Sequence, residues 1–244
     1  MFPLSDENPT LRRPLVTLAI LILLVGVWVL VQGAGLDFRT FTRSLCEYGL
    51  IPGRLTGRLA VGTTVPLGET ATCRIAGGAF RYWTLLTSMF LHGSWGHLIG
   101  NGWFLWVFGN NVEDSMGRMR FVLFYVICGL AAAVAQVALD PGSMAPMVGA
   151  SGAISGVMGA YLVLYPRVRV KTLLVLFIFI RIISVPAWVM LVYWFALQLV
   201  TELPQLGGKA ASSGVAVVAH VGGFVAGCLL VTAFKNRALI EART

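Results

Sequence analysis

The sequence predicts an all-α, polytopic membrane protein built as a bundle of six transmembrane helices, and two observations predict it. Of 244 residues, 57% are hydrophobic and 11% charged, whereas a soluble domain carries about 25% charged residues. Apolar runs recur at 15–33, 87–109, 121–139, 148–165, 185–201 and 215–234, each long enough to cross about 30 Å of hydrocarbon as a helix. Such a chain cannot bury its apolar surface in one aqueous core, so a bilayer is its natural solvent. The bundle is expected over 15–234, after a short cytoplasmic segment 1–14 and before a cytoplasmic tail 235–244.

The first run, Leu15 to Leu30, is longer than a signal-peptide core and lacks a small-x-small cleavage site after it, so it reads as an uncleaved first helix. Asp6 and Glu7 argue against a mitochondrial transit peptide. The stretch Thr172 to Ile183 is also apolar, but contains Arg181 and runs into Pro186. It reads as the end of the fourth helix with an interfacial connection, or else as a re-entrant seventh element.

Basic residues in short loops set the orientation. Arg12, Arg13, Arg118, Arg120, Arg167, Arg169, Lys171, Lys235, Arg237 and Arg243 lie at one end of the spans, while the loop after the third span has none and that after the fifth has Lys209. Both termini are therefore expected in the cytoplasm, in a compact plan that suits a bacterial inner membrane. The long outer loop 35–82 disobeys, with Arg39, Arg43, Arg54, Arg58, Arg74 and Arg81. The net charge of +8 is scattered between apolar spans rather than gathered in a stripe with aromatics, so no nucleic-acid partner is expected. Cys46 and Cys73 in the outer loop form either a disulfide or two free thiols, while Cys128 and Cys228 read as packing or lipid-facing residues.

An ionisable side chain inside a span is costly and marks function by default. The chain has three histidines: His92 and His97 open the second span, with Asn101 one turn beyond His97, and His220 opens the sixth. Ser151 opens the fourth, in Gly149-Ala150-Ser151-Gly152. Spans two, four and six all run inward from the outer side, so the three polar clusters share one depth. For Ser151 Oγ to reach a His220 nitrogen at about 2.6–3.2 Å, two helix backbones must come very close. Gly152 and Gly156 on one helix, with Gly223 and Gly227 on the other, provide the small-residue spacing that permits this.

A serine at a helix mouth also meets the unpaired N–H groups of the first turn, which can hold an oxyanion. His97 and Asn101 are candidates to supplement them. A Ser-His-Asp triad would need Asp140 or Glu202 from a loop, so a Ser-His dyad fits better. No metal is expected: His92 and His97 are about 140° apart around a helix, and no carboxylate completes a hydrolytic site.

These residues, in this order, resemble the rhomboid family of intramembrane serine proteases. The resemblance runs from about Phe80 to Gly227 and rests on His92, His97 and Asn101, then Gly149-Ala150-Ser151-Gly152, then Ala219-His220 with Gly223 and Gly227. Phe108-Gly109 through Glu113, then Gly117 and Arg118, also resemble the family's turn between second and third helices. The resemblance implies Ser151 as nucleophile, His220 as general base, and His97, Asn101 and the Ser151 N–H as oxyanion donors. His92 would brace the site, and the 35–82 loop would form a half-inserted lateral hairpin. The implied reaction is hydrolysis of transmembrane protein substrates in the bilayer, with no cofactor, at segments whose helix is easily unwound. The chain departs from the family pattern twice. Trp83-Thr84 stands where many members have Trp-Arg, with Arg81 nearby. Ser155 stands where an aromatic residue commonly packs on the base histidine, and it adds a rival hydroxyl one turn deeper.

Two other classes compete. A rhomboid-like protein that binds membrane clients without cutting them typically loses the serine or histidine, and both are present here. A proton-relaying transporter usually shows internal repeats and intramembrane carboxylates, and neither is evident.

Overall fold

Long apolar runs with few helix breakers favour helices wherever water cannot satisfy the backbone. The computed structural model describes residues 1–67, 71–75, 81–176, 179–206 and 217–241. In chain order the elements are β1 (Phe2–Asp6), α1 (Leu15–Leu30), α2 (Phe38–Tyr48), α3 (Pro52–Leu55), β2 (Thr64–Leu67), β3 (Ala71–Arg74) and α4 (Thr84–Thr87). They continue with α5 (Trp95–Met116), α6 (Arg118–Leu139), α7 (Ser151–Leu164), β4 (Arg169–Leu176), β5 (Phe179–Pro186), α8 (Ala187–Leu206), α9 (Val217–Phe234) and α10 (Arg237–Glu241). The protein is mostly helical. Among the described residues, α6 and α9 are each long and apolar enough to cross a bilayer, and Leu15–Leu30, Ser151–Leu164 and Ala187–Val200 are apolar but shorter.

The α7 helix is the axis of the bundle. Every residue from Gly152 to Tyr161 is buried, so it has no solvent or lipid face over that stretch. It packs among α5, α6 and α9, with Phe108, Phe121, Phe124, Tyr125 and Tyr161 filling the space between them. At 14 residues it is about 21 Å long, shorter than the about 30 Å of a hydrocarbon layer. The outer surface carries exposed Ile22, Leu123, Val134, Val192 and Leu229, an apolar exterior suited to lipid.

The α1 helix lacks a side-chain cap of its own, because Pro14 occupies the cap position. Glu113 at the far end of α5 supplies one: its carboxylate accepts from the Val16 N–H at 3.0 Å, the Thr17 N–H at 2.7 Å and the Thr17 hydroxyl at 2.8 Å. Its neighbour Asp114 accepts from the Leu11 N–H and pairs with Arg12, each at 2.9 Å. A negative group at a helix N-terminus satisfies orphan donors and meets the positive end of the dipole.

The expectation for 172–183 is corrected. In place of a helix end or a re-entrant element, β4 and β5 form an antiparallel hairpin with Arg169 opposite Pro186 and Leu176 opposite Phe179. β1 adds to it, making the order β1-β4-β5. The segment 1–14, expected as a short cytoplasmic lead, thus contains a strand at Phe2–Asp6. The physical reason lies in β-branched content and alternation: Val170 and Thr172 are buried between exposed Arg169 and Lys171. Apolar length alone does not distinguish strand from helix. Asp6 fixes the strand to the bundle by accepting from the Tyr161 hydroxyl at 2.5 Å and from Asn111 Nδ2 at 2.7 Å.

The 35–82 loop has its own small core of Ile51, Val65, Cys73 and Ile75. Asp37 caps α2 by accepting from the Thr40 N–H and hydroxyl, which hold its carboxyl below the ordinary range. The β2–β3 hairpin is tied to α2 by a Cys46–Cys73 disulfide, with Cα atoms 5.6 Å apart. Arg81 ties the end of this loop to α2: its Nη1 donates to the Glu47 carbonyl at 3.1 Å, and its guanidinium lies over the Trp83 ring.

Replacing Glu113 with Ala leaves two backbone donors of α1 unpaired. Each such loss costs on the order of 1–3 kcal/mol, so Glu113→Ala is expected to lower the thermal unfolding midpoint in detergent clearly. Glu113→Gln, which keeps an acceptor oxygen, should recover part of the difference. Equal midpoints for the parent and Glu113→Ala would refute the capping role.

Candidate active site

The arrangement around Ser151 begins with the glycines. A methyl group at Gly223 would fall on the carbonyl of Gly152, and one at Gly227 on the carbonyl of Gly156. At Gly159 it would meet the Phe224 carbonyl. The α7 and α9 backbones are therefore in direct contact along two turns, as small-residue spacing permits. On the other side of α7, a Cβ at Gly152 would lie 2.6 Å from the Ala132 Cβ of α6. Three helices close on one another here, and only hydrogen atoms fit between them.

This approach brings Ser151, the first residue of α7, within reach of His220 on α9. The Ser151 Oγ and His220 Nε2 are 2.6 Å apart. His220 is 6% exposed, and its Nδ1 has no hydrogen-bond partner among the described residues. Asp140 is exposed, and the Glu202 side chain lies outside the described residues. The Ile154 N–H is the first in α7 to bond within the helix, to the Ala150 carbonyl at 3.0 Å. The N–H groups of Ser151, Gly152 and Ala153 precede it and have no intrahelical acceptor.

His97 reaches the site from α5, whose N-terminus is capped by Ser94 accepting from the His97 N–H at 3.1 Å. Gly93 donates its N–H to His97 Nδ1 at 3.4 Å, which places the proton of a neutral imidazole on Nε2. That edge lies against Gly149, where a Cβ would stand 2.8 Å from His97 Cε1 and Nε2 and 3.5 Å from Ser151 Oγ. Gly149 also has φ +128°, which L side chains rarely adopt. Two independent reasons thus require glycine. Ser151, His220, His97, Gly149 and Gly152, with Met147, line a cavity of about 40 Å³, room for one or two waters.

The remaining predicted residues stand around this cavity rather than in it. Asn101 is buried one turn from His97, and its Nδ2 has no partner among the described residues. His92 packs edge to face on His97 at 5.2 Å between ring centroids. Gly223 and Gly227 lie at the helix contact, and Cys46 and Cys73 lie apart in the first loop. Ser155 is fully buried and donates its hydroxyl to the Ser151 carbonyl at 2.7 Å, so the rival hydroxyl is occupied.

Two residues escaped sequence reading. Gln32, buried just beyond α1, clamps the His92 backbone: its Nε2 donates to the His92 carbonyl and its Oε1 accepts from the His92 N–H, both at 2.8 Å. A lone glutamine at the end of an apolar span was the available signal. Trp194 of α8 contacts the His220 ring at 6.1 Å, and nothing in its spacing points to that contact.

A Rhomboid domain family model matches residues 79–237, which contain every residue of the cavity. Rhomboid protease GluP of Bacillus subtilis (strain 168) is 39% identical over 100 residues, covering 41% of this chain and 19% of that protein. RHOMBOID-like protein 5 of Arabidopsis thaliana is 38% identical over 80 residues, covering 33% and 26%. Rhomboid-like protease 5 of Toxoplasma gondii is 28% identical over 165 residues, covering 66% and 17%. The aligned part spans about a fifth to a quarter of these curated relatives.

The helix contact yields a stability test. Gly227→Val places a branched side chain on a backbone carbonyl and is expected to destabilise by about 3 kcal/mol or more, read as a lowered unfolding midpoint in detergent. Gly26→Ala on α1, where nothing lies within 4 Å, should be neutral or slightly stabilising. Equal midpoints for the two variants would refute the close contact.

Proposed function

The chain belongs to the rhomboid family of membrane-embedded serine proteases, and on that premise we propose that it is an intramembrane serine endopeptidase working by a Ser151–His220 dyad. Its substrates are membrane proteins, cut in or near their transmembrane segments. The observation that carries the reading is the 2.6 Å between Ser151 Oγ and His220 Nε2, on two helices whose backbones touch.

In the reaction, Ser151 Oγ attacks the substrate carbonyl carbon while its proton passes to His220 Nε2. The carbonyl oxygen becomes an oxyanion, held by the Ser151 N–H and by donors from His97 Nε2 and Asn101 Nδ2. As the C–N bond breaks, His220 returns the proton to the leaving amine, giving an acyl-enzyme and a free N-terminus. Water then attacks the ester, with His220 again taking and returning a proton. His92 supports this arrangement as an edge-on wall to His97, and Gly149, Gly152, Gly223 and Gly227 keep the elements close enough. The reaction calls for no metal or other cofactor.

Six crossings by α1, α5, α6, α7, α8 and α9 are part of the same proposal, over 15–234, with 35–82 outside and 1–14 and 235–244 in the cytoplasm. The concentration of Arg and Lys at one end of the spans supports that orientation. A bacterial inner membrane is the proposed location. Ser151 then lies below the outer surface, where a short α7 starts within the membrane.

The test is labelling of the purified, reconstituted protein by a fluorophosphonate probe. The parent and Ser155→Ala should label alike, and Ser151→Ala and His220→Ala should fall to background. Labelling by His97→Ala is expected to drop by about 10²-fold, the usual cost of one oxyanion donor. A folded parent that stays unlabelled beside an active control protease would overturn the reading and favour a client-binding protein.

A further inference from the structure

Among the described residues, His220 makes one side-chain hydrogen bond, through Nε2 to Ser151, and its other ring nitrogen is buried without a partner. A single bond at one corner fixes a nitrogen's position but not the plane of the ring. A ring free to turn spends much of its time with Nε2 off the serine. Something else must therefore hold the plane, and the position one turn beyond Ser151 cannot, because Ser155 is small and its hydroxyl is occupied by the Ser151 carbonyl.

We propose that Trp194 is the positioning residue of His220, holding the imidazole in line with Ser151 by ring contact from α8. This rests on the reading of Ser151 and His220 as nucleophile and base. The indole and imidazole centroids are 6.1 Å apart with planes at 49°, within the range where aromatic pairs attract and restrict each other. Trp194 is half-buried and is itself wedged: Phe104 of α5 lies 6.0 Å from it. Phe104 in turn is flanked by Phe108 at 6.2 Å and by Phe2 of β1 at 6.0 Å. A row of rings thus runs from the N-terminal strand through α5 and α8 to the histidine. The ring that meets the base thus stands on a different helix from the nucleophile, so the rotation of α8 sets the alignment of the base. A substitution that tilts α8 would reach the chemistry through this one contact.

The experiment compares the parent with Trp194→Leu, which keeps apolar bulk, and Trp194→Phe, which keeps a ring. Inactivation by a fluorophosphonate is resolved into its maximal rate and its half-saturating concentration, beside thermal midpoints. Trp194→Leu is expected to lose about tenfold in maximal rate, with half-saturation within about twofold and a midpoint near the parent's. Trp194→Phe should recover most of the rate. Parental rates in Trp194→Leu, or equal losses in both variants that track a lowered midpoint, would overturn the proposal. If the parent does not label at all, the proteolytic reading fails separately. The His220 signal in ¹⁵N-imidazole spectra, assigned by its absence in His220→Ala, then decides the positioning role. A signal shifted and broadened in Trp194→Leu but not in Trp194→Phe supports it, and an unchanged signal overturns it.

Discussion

Contact between the α7 and α9 backbones is the constraint on which the rest depends. In an apolar medium no hydrophobic force drives one helix against another, so association relies on dispersion and on how closely the surfaces fit. Gly152, Gly156 and Gly159 on α7 face Gly223, Phe224 and Gly227 on α9 with no side chain between them. The same closeness lets a short serine meet a histidine from the neighbouring helix. Larger residues at these positions would separate the polar pair by several ångströms, well beyond hydrogen-bond reach.

The ends of the bundle are held by a different force. Polar groups removed from water must find partners or cost more than they contribute, and here they join elements distant in sequence. Glu113 caps α1 from the end of α5, Asp6 binds Tyr161 and Asn111, and Gln32 clamps the backbone of His92. The first loop is attached in the same way to the stretch that leads into Ser151. Leu50 and Met147 exchange both backbone hydrogen bonds, and the Gly53 N–H reaches the Ser143 carbonyl at 2.9 Å. The first-loop contacts thus hold Met147, which lines the cavity, while those of Glu113 and Asp6 tie the opposite end of α5 and α7.

Much of the helical plan was legible because its signals are local. Apolar runs pick out the helices, and Gly149-Ala150-Ser151-Gly152 and Ala219-His220 pick out the polar residues that an apolar span would otherwise exclude. The three-stranded sheet was not legible, since Thr172 to Ile183 has the apolarity of a span and the burial alternation is confined to 169–172, at the start of β4. β1 was hidden for another reason: five residues with an acidic end acquire a strand conformation only from a partner more than 160 positions away. Arg81 illustrates a third case: its long side chain reaches the Glu47 carbonyl on α2, a contact between positions 34 apart that no local pattern announces.

By itself the sequence determined composition, the apolar runs, the spacing of the glycines and the identities of the few polar residues among them. These are properties of neighbours along the chain, and the free energy of placing each residue in water or hydrocarbon determines them. Only the tertiary structure decided which ring lies on His220, which carboxylate caps α1, and that β1 joins β4. Such pairings depend on the rotation of each helix about its axis and on its distance from the next. Those quantities are set by packing across the whole bundle, and no local pattern encodes them.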